Sequence, residues 1–285
     1  MPKKTISLPF CALCSVVLFI LLILARCHGT RPAAEETAAA EKAVPVLMYH
    51  HLLKQAENTR YRGNDIVTYV EDFEAQLAWL HKNGFQSITT AQLDAYLYEN
   101  GALPSKPVLF TFDDGYLSNF VYAYPLLKQY GYTAVIFSVT GKIAEAPADF
   151  KPTLVQMLDG ETMQQCAPVF EFASHTHSLH TTSGGGRSAL TDAGESEIRR
   201  DLRESLRVLA AYPGSTASVF SYPYGFYNDK VAGVLKQEGV RLAFRATGGR
   251  LTRQSDPYSL PRYAVSYRVS LEEFQAFFSE YDAAP

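Results

Sequence analysis

The chain is short of several things that define whole classes of protein. It has four cysteines in 285 residues, and Cys11, Cys14 and Cys27 lie in or beside the first apolar stretch. Only Cys166 is left for the rest, which excludes an intrachain disulfide framework there. That shortage does not imply a cytosolic home, because an exported domain with a large core needs no staples. Basic charge is not in excess either. The 26 Lys and Arg against 29 Asp and Glu give a formal net charge of −3, with no basic stripe to attract nucleic acid. No internal repeat is visible. The glycine run Ser183-Gly184-Gly185-Gly186 lacks the Lys-Ser/Thr of a phosphate-binding loop and reads as a connector.

What is present is apolar and aromatic. Hydrophobic residues make up 47% of the chain, enough for one sizeable core. The 18 Tyr and 17 Phe suit a sugar-binding cleft, although most of them are needed to fill the interior. Near the N-terminus, Lys3 and Lys4 precede an apolar stretch from Ile6 to Ala25 that Arg26 closes. Residues 1–30 therefore read as a signal peptide or a retained membrane anchor, with the main domain outside the cytoplasmic membrane. Residues 31–43, RPAAEETAAAEKA, carry no large apolar side chain and read as a linker, leaving 44–285 as one folded domain.

From Val44 onward, short β-branched or apolar runs alternate with amphipathic stretches. Strands are expected at 45–50, 86–89, 107–112, 133–139, 169–174, 218–223, 241–246 and 260–265. Helices are expected between them, at 70–84, 91–100, 119–130, 192–212, 228–238 and 271–281. The first would bury Phe73, Leu77 and Leu80 and stop at Gly84, and Asp192 with Glu195 has the spacing of a capping box. Repeated β-then-α units imply an α/β fold with a mainly parallel sheet, and eight strands fit a single distorted (β/α) barrel.

In such a barrel the reactive groups gather at the carboxyl ends of the strands. Four of these ends carry unusual side chains: His50 and His51 in VPVLMYHH, Asp113 and Asp114 in TFDDG, the histidines of SHTHSLH, and YPYG at 222–225. A carboxylate with two imidazoles makes an open site for a divalent first-row ion. His175 and His180 are five residues apart, too far round a helix to share an ion, so they are expected on a curling loop. His177 is expected to face the substrate or support the ligands rather than bind the ion. Successive side chains of extended backbone point to opposite sides, so one acid could reach the ion while the other stays free as a base. Zinc suits these ligands; nickel, cobalt and iron also suit them.

These motifs resemble the carbohydrate esterase family 4, the NodB-type polysaccharide deacetylases. TFDDG (111–115) matches that family's first motif, SHTHSLH (174–180) the second and YPYG (222–225) the third. The resemblance implies Asp113 as general base, Asp114, His175 and His180 as metal ligands, and Tyr224 as part of the oxyanion hole. There are departures. The ligand interval is one residue longer than usual, Val219, Phe220 and Ser221 stand where an Arg is expected, and no histidine follows His180. In these respects the chain resembles the subgroup that deacetylates poly-β-1,6-N-acetylglucosamine in biofilm matrices. There an N-terminal Tyr-His motif replaces the late histidine, which makes His50 the general acid and leaves His51 for the barrel wall. Arg262 is a candidate to orient Asp113.

The expected function is metal-dependent N-deacetylation of an exported N-acetylglucosamine polymer, which yields acetate and a free sugar amine. Peptidoglycan, chitin oligomers or xylan are alternative substrates, chosen by loops such as 55–68, 141–166 and 181–191. A glycan-binding surface module without activity is a reading of another class.

Overall fold

Strands covered on both faces read as unbroken apolar runs, and VLMY, PVLFTF and AVIFS do so here. The computed structural model describes residues 43–183 and 186–281. The expected signal or anchor, and the linker as far as residue 42, lie outside them. Each of the eight runs predicted as strand forms one in the main sheet. They are β1 (Val46–Tyr49), β2 (Gln86–Ser87), β3 (Pro107–Asp114), β4 (Ala134–Ser138), β5 (Phe170–Ser174), β6 (Ser215–Ser221), β7 (Leu242–Phe244) and β8 (Tyr263–Ala264). Their order is β7-β6-β5-β4-β3-β1-β8, with β2 pairing the entry end of β3, and every pairing is parallel. The two ends of this order are tied together. Leu260, just before β8, bridges Phe244 of β7 in parallel register, and Leu260 N–H donates to the Ala243 carbonyl at 3.0 Å.

Alternation along the strands divides the core. Val46, Leu109, Val135, Phe137, Val219, Leu242 and Phe244 fill one side with Leu251 and Leu260. Leu47, Tyr49, Phe110, Phe112, Ile136 and Phe172 fill the other, beneath helices. The helix Val70–Lys82 supplies Phe73, Leu77 and Leu80 to that second layer, all fully buried, and gives way at Gly84, whose φ is 75°. Each such side chain contributes roughly 1.5–3 kcal/mol by its burial.

The register aligns the strand exits. Tyr49 lies opposite Phe112, Asp114 opposite Ser138, Ser138 opposite Ser174, and Ser174 opposite Phe220. The residues that leave β1, β3, β5 and β6 therefore emerge at one edge of the sheet.

Some local expectations fail for identifiable reasons. The stretch 192–212 is not one helix. A turn of helix, Ala189–Asp192, ends at an extended Ala193, and Glu195–Leu209 begins after Gly194 with no side-chain cap. Leu190 and Ala193 are buried in the same cluster as Ile198 and Leu202, so packing sets the break and the Asp192–Glu195 capping box does not form. Complete capping boxes occur instead at Thr89–Gln92, Asp159–Thr162 and Ser270–Glu273. Residues 119–130 begin as a π-helical turn, Asn119–Ala123, before Tyr124–Tyr130 becomes α-helical. The sequence reading also missed a helix at Gly160–Cys166 and a parallel pair formed by His51–Leu53 and Val67–Tyr69. No helix among the described residues is long and apolar enough to cross a membrane.

Candidate active site

The interior row of β3 runs Leu109, Thr111, Asp113. It brings a carboxylate to the top of an apolar column, where Asp113 is only 3% exposed. A bare charge there would be costly, and Arg262, fully buried, meets it. The guanidinium donates from Nη1 to Asp113 Oδ1 and from Nη2 to Oδ2, both at 2.7 Å. Its remaining donors are also used: Nε binds the Arg245 carbonyl at 2.9 Å, Nη1 the Thr111 hydroxyl at 3.0 Å and Nη2 the Ser221 hydroxyl at 2.9 Å. Burial alone would raise the Asp113 pKa. The Arg262 charge and its hydrogen bonds reverse that, and Asp113 is held below the usual carboxylate range. Arg262, read from sequence as a candidate to orient Asp113, does so in a bidentate fork.

Asp114 departs from the alternation expected for it. Its φ is 73°, so the strand does not remain extended and both carboxylates line the same cavity. Among the described residues only Asn100, Asp114, Thr176 and Tyr224 have positive φ without being glycine, and the last three belong to the three motifs. Left-handed backbone at such residues is strained, and here it turns the chain so that the side chains converge.

His175 leaves β5 and His180 returns on the loop that follows. The His175 Nδ1 lies 2.8 Å from the Ser221 carbonyl, which takes its proton and leaves Nε2 as the free lone pair. That Nε2 is 3.8 Å from Asp114 Oδ1, and His180 Nε2 is 3.0 Å from the same oxygen. Atoms bound to one ion at ~2.0–2.2 Å lie roughly 3.0–3.5 Å apart, so these spacings suit shared coordination. Apart from the His180 ring nitrogen, the buried Asp114 Oδ1 meets no hydrogen-bond partner among the described residues, which fits an atom that a cation would satisfy. Asp114, His175 and His180 thus form one potential ion site, with their ligand atoms within 4.8 Å of one another. Burial lowers the His175 pKa to about 4, which keeps the imidazole neutral.

The cavity above them, of about 150 Å³, is lined by Met48, His50, Ile66, Asp113, Asp114, His175, His180, Tyr224, Gly225 and Ala246. Of the two adjacent histidines, His50 faces this cavity. His51 is 1% exposed, stacks on Tyr116 and places Nδ1 2.7 Å from the Ser118 hydroxyl. The Tyr224 ring lies 4.7 Å from that of His180, centroid to centroid, while its backbone forms a left-handed turn with φ 58°. Gly225 follows at φ 71°, where a Cβ would come within 2.6 Å of Ala246. His177 is not gathered in: its Nδ1 lies 3.0 Å from the Thr140 hydroxyl, outside the cavity lining. Ser221, just before the third motif and among the residues that stand where an Arg is expected, is a working residue that the sequence did not reveal. It touches Arg262 and Asp113 and accepts from His175 at once.

A family model for polysaccharide deacetylase matches residues 100–243, which span the acidic, histidine and YPYG motifs. The chain belongs to the polysaccharide deacetylase family. A relative from Bacillus subtilis (strain 168), YxkH, is 29% identical over 236 residues, 82% of this chain and 75% of that protein. The poly-β-1,6-N-acetyl-D-glucosamine N-deacetylase of Staphylococcus aureus (strain MSSA476) is 30% identical over 196 residues, 68% of this chain and 66% of that enzyme. Among solved structures, IcaB from Ammonifex degensii superposes with a TM-score of 0.70 at 23% identity, covering 85% of this chain and 98% of that one. The distorted (β/α) barrel expected from the strands is a parallel sheet curled into a half-barrel, the NodB-like fold that the motif resemblance implied.

Two predictions follow from this geometry. Arg262→Met leaves the buried Asp113 charge without its partner and should destabilise the protein by about 3–5 kcal/mol in urea unfolding. Adding Asp113→Asn to that variant should recover part of the loss; strictly additive losses would contradict the pairing. Burial also lowers the pKa of His51 from 6.5 to about 4. The unfolded chain then binds the extra proton between these values, so the His51 contribution is complete above pH 6.5 and is lost as pH falls toward 4. At about 1.4 kcal/mol per pH unit, the loss approaches roughly 3 kcal/mol. His51→Gln, compared with the parent in chelator, should flatten the dependence of stability on pH by about one proton in that window.

Proposed function

We propose that the protein is a metal-dependent N-deacetylase of an exported poly-β-1,6-N-acetylglucosamine. The observation that carries the reading is the placement of an ionised, Arg262-clamped Asp113 beside the convergent Asp114, His175 and His180. A free base next to an open ion site is the equipment for hydrolysis by activated water, and it needs no nucleophilic side chain. The cavity has room for an acetamido group rather than for a whole sugar chain, so the polymer would lie across its mouth. The substrate is inferred from the staphylococcal relative together with the front Tyr49-His50 pair.

Asp114, His175 and His180 would hold a divalent ion, proposed to be zinc, which would supply Lewis acidity and bring the pKa of water toward ~7. Asp113 then accepts the proton of the attacking water. Arg262 and Ser221 hold its carboxylate in one orientation during that transfer. The Tyr224 N–H, turned by its left-handed φ, is assigned to the oxyanion that develops on the acetyl carbonyl. His50, on the cavity wall, protonates the departing amine. The C–N bond breaks, acetate leaves, and the sugar retains a free amine. His51 takes no part, because its ring is enclosed by Tyr116, Tyr61 and Ser118.

The proposed localisation is extracytoplasmic, with residues 1–30 as signal or membrane anchor, 31–43 as linker and 44–285 as the catalytic domain. Release of acetate from poly-β-1,6-N-acetylglucosamine should exceed that from peptidoglycan, chitin oligomers or acetylated xylan and stop with chelator. Asp113→Asn should lower acetate release by at least about 10²-fold, within the usual range for a general base, while the ion stays bound. Undiminished turnover in that variant would remove Asp113 from the chemistry.

A further inference from the structure

The interval between the two ligand histidines has to be folded by something. It is too long for one helical turn, and Thr176 within it is left-handed with φ 74°. On one side, Thr140 N–H donates to the Thr176 carbonyl at 3.0 Å and Gly141 N–H to the His177 carbonyl at 3.1 Å. On the other stands Asp201, from the middle of the helix Glu195–Leu209 and 6% exposed. Its Oδ2 accepts from His177 N–H at 2.8 Å. Its Oδ1 accepts from Ser178 N–H at 2.7 Å, the Ser178 hydroxyl at 2.8 Å and Leu179 N–H at 3.1 Å. Three successive backbone donors and one hydroxyl thus converge on one buried carboxylate. It neutralises the donors that this loop would otherwise leave unpaired when it curls. One turn further along the helix, the Ser205 hydroxyl lies 2.7 Å from that of Ser174, whose Oγ accepts from Thr176 N–H at 3.2 Å. The helix therefore grips the loop at both ends of the segment between the histidines.

We propose that Asp201 is the positioning residue of the ion site: its carboxylate shapes residues 177–179 so that His180 Nε2 meets Asp114 Oδ1 and His175 Nε2. It touches neither ion nor substrate and acts only through the loop. This inference rests on the ion site proposed above. It extends that reading from the three ligands to the helix behind them. Groups that orient metal ligands typically govern affinity by about 10–100-fold.

The test is cobalt(II) binding to the purified protein, followed by the visible absorption of the bound ion and by competition with a chelator. In the parent, one cobalt ion with d–d bands is expected; its absence would overturn the ion site itself. Asp201→Ala should weaken cobalt binding by at least about 10-fold and alter the band pattern. Asp201→Asn keeps an Oδ1 acceptor but presents an amide donor toward His177 N–H, so it should fall between Ala and the parent. Ser178→Ala removes a single exposed hydroxyl and should weaken binding by a few-fold, on the order of one hydrogen bond. At saturating ion, kcat should return toward the parent value, because the ligands themselves are intact. Folded Asp201 variants that bind cobalt with parental affinity and spectrum would overturn the proposal, even if their melting temperatures had dropped. Should both Asp201 variants fail to fold, parental affinity in Ser178→Ala would overturn it equally.

Discussion

The buried pair of Arg262 and Asp113 is the constraint on which the rest is arranged. A guanidinium with no exposed surface has to spend every donor inside the protein. Arg262 does so on groups from several strands: Asp113 and Thr111 on β3, Ser221 at the end of β6, and the Arg245 carbonyl just past β7. It comes itself from the residue before β8. One side chain therefore joins the acidic motif on β3 to the last strand and fixes the mouth of the barrel. The same bonds keep a carboxylate ionised in an apolar column, which is the state a base needs. Stability and chemistry are tied here: loosening the clamp would release the charge and the strand ends together.

A second theme is strain at the places where side chains must meet. Regular β-alternation would send Asp113 and Asp114 to opposite faces. A left-handed Asp114, followed by a left-handed Gly115, brings both to one cavity. Thr176 and Tyr224 make similar turns in the other two motifs. These conformations cost of order 1–3 kcal/mol each and persist only where surrounding bonds fix them. The Asp201 carboxylate and the Ser221 carbonyl supply such bonds at the histidine motif.

Much of this was legible in the sequence. Short apolar or β-branched runs located the strands, and β1, β3 and β4 were the plainest because parallel strands covered on both faces need nearly unbroken apolar residues. Asp113, Asp114, His175, His180, His50 and Tyr224 were legible because unusual side chains stood at strand exits, and the structure brings them round one cavity. The preference for His50 over His51 came from its place after Tyr49 in the front motif; in the structure His50 lines the cavity and the His51 ring packs against Tyr61 and Tyr116. The parts that stayed hidden depend on contacts distant in sequence. Asp201 looks like any acid on an amphipathic helix until its 177–179 partners are in place. Ser221 looked like a vacancy where an Arg was expected, while the Arg that serves came from 41 residues later. The capping box at Asp192 failed because burial of Leu190 and Ala193 outweighed a local signal worth about 1 kcal/mol.

The central claim is that one divalent cation sits between Asp114, His175 and His180 while Asp113 stays free of it. Anomalous diffraction from crystals grown with zinc, recorded on both sides of the zinc edge, tests this most directly. The account predicts a single strong peak about 2.0–2.2 Å from Asp114 Oδ1, His175 Nε2 and His180 Nε2, with Asp113 still held by Arg262. An empty pocket, or an ion bound by Asp113 in place of Asp114, would contradict it.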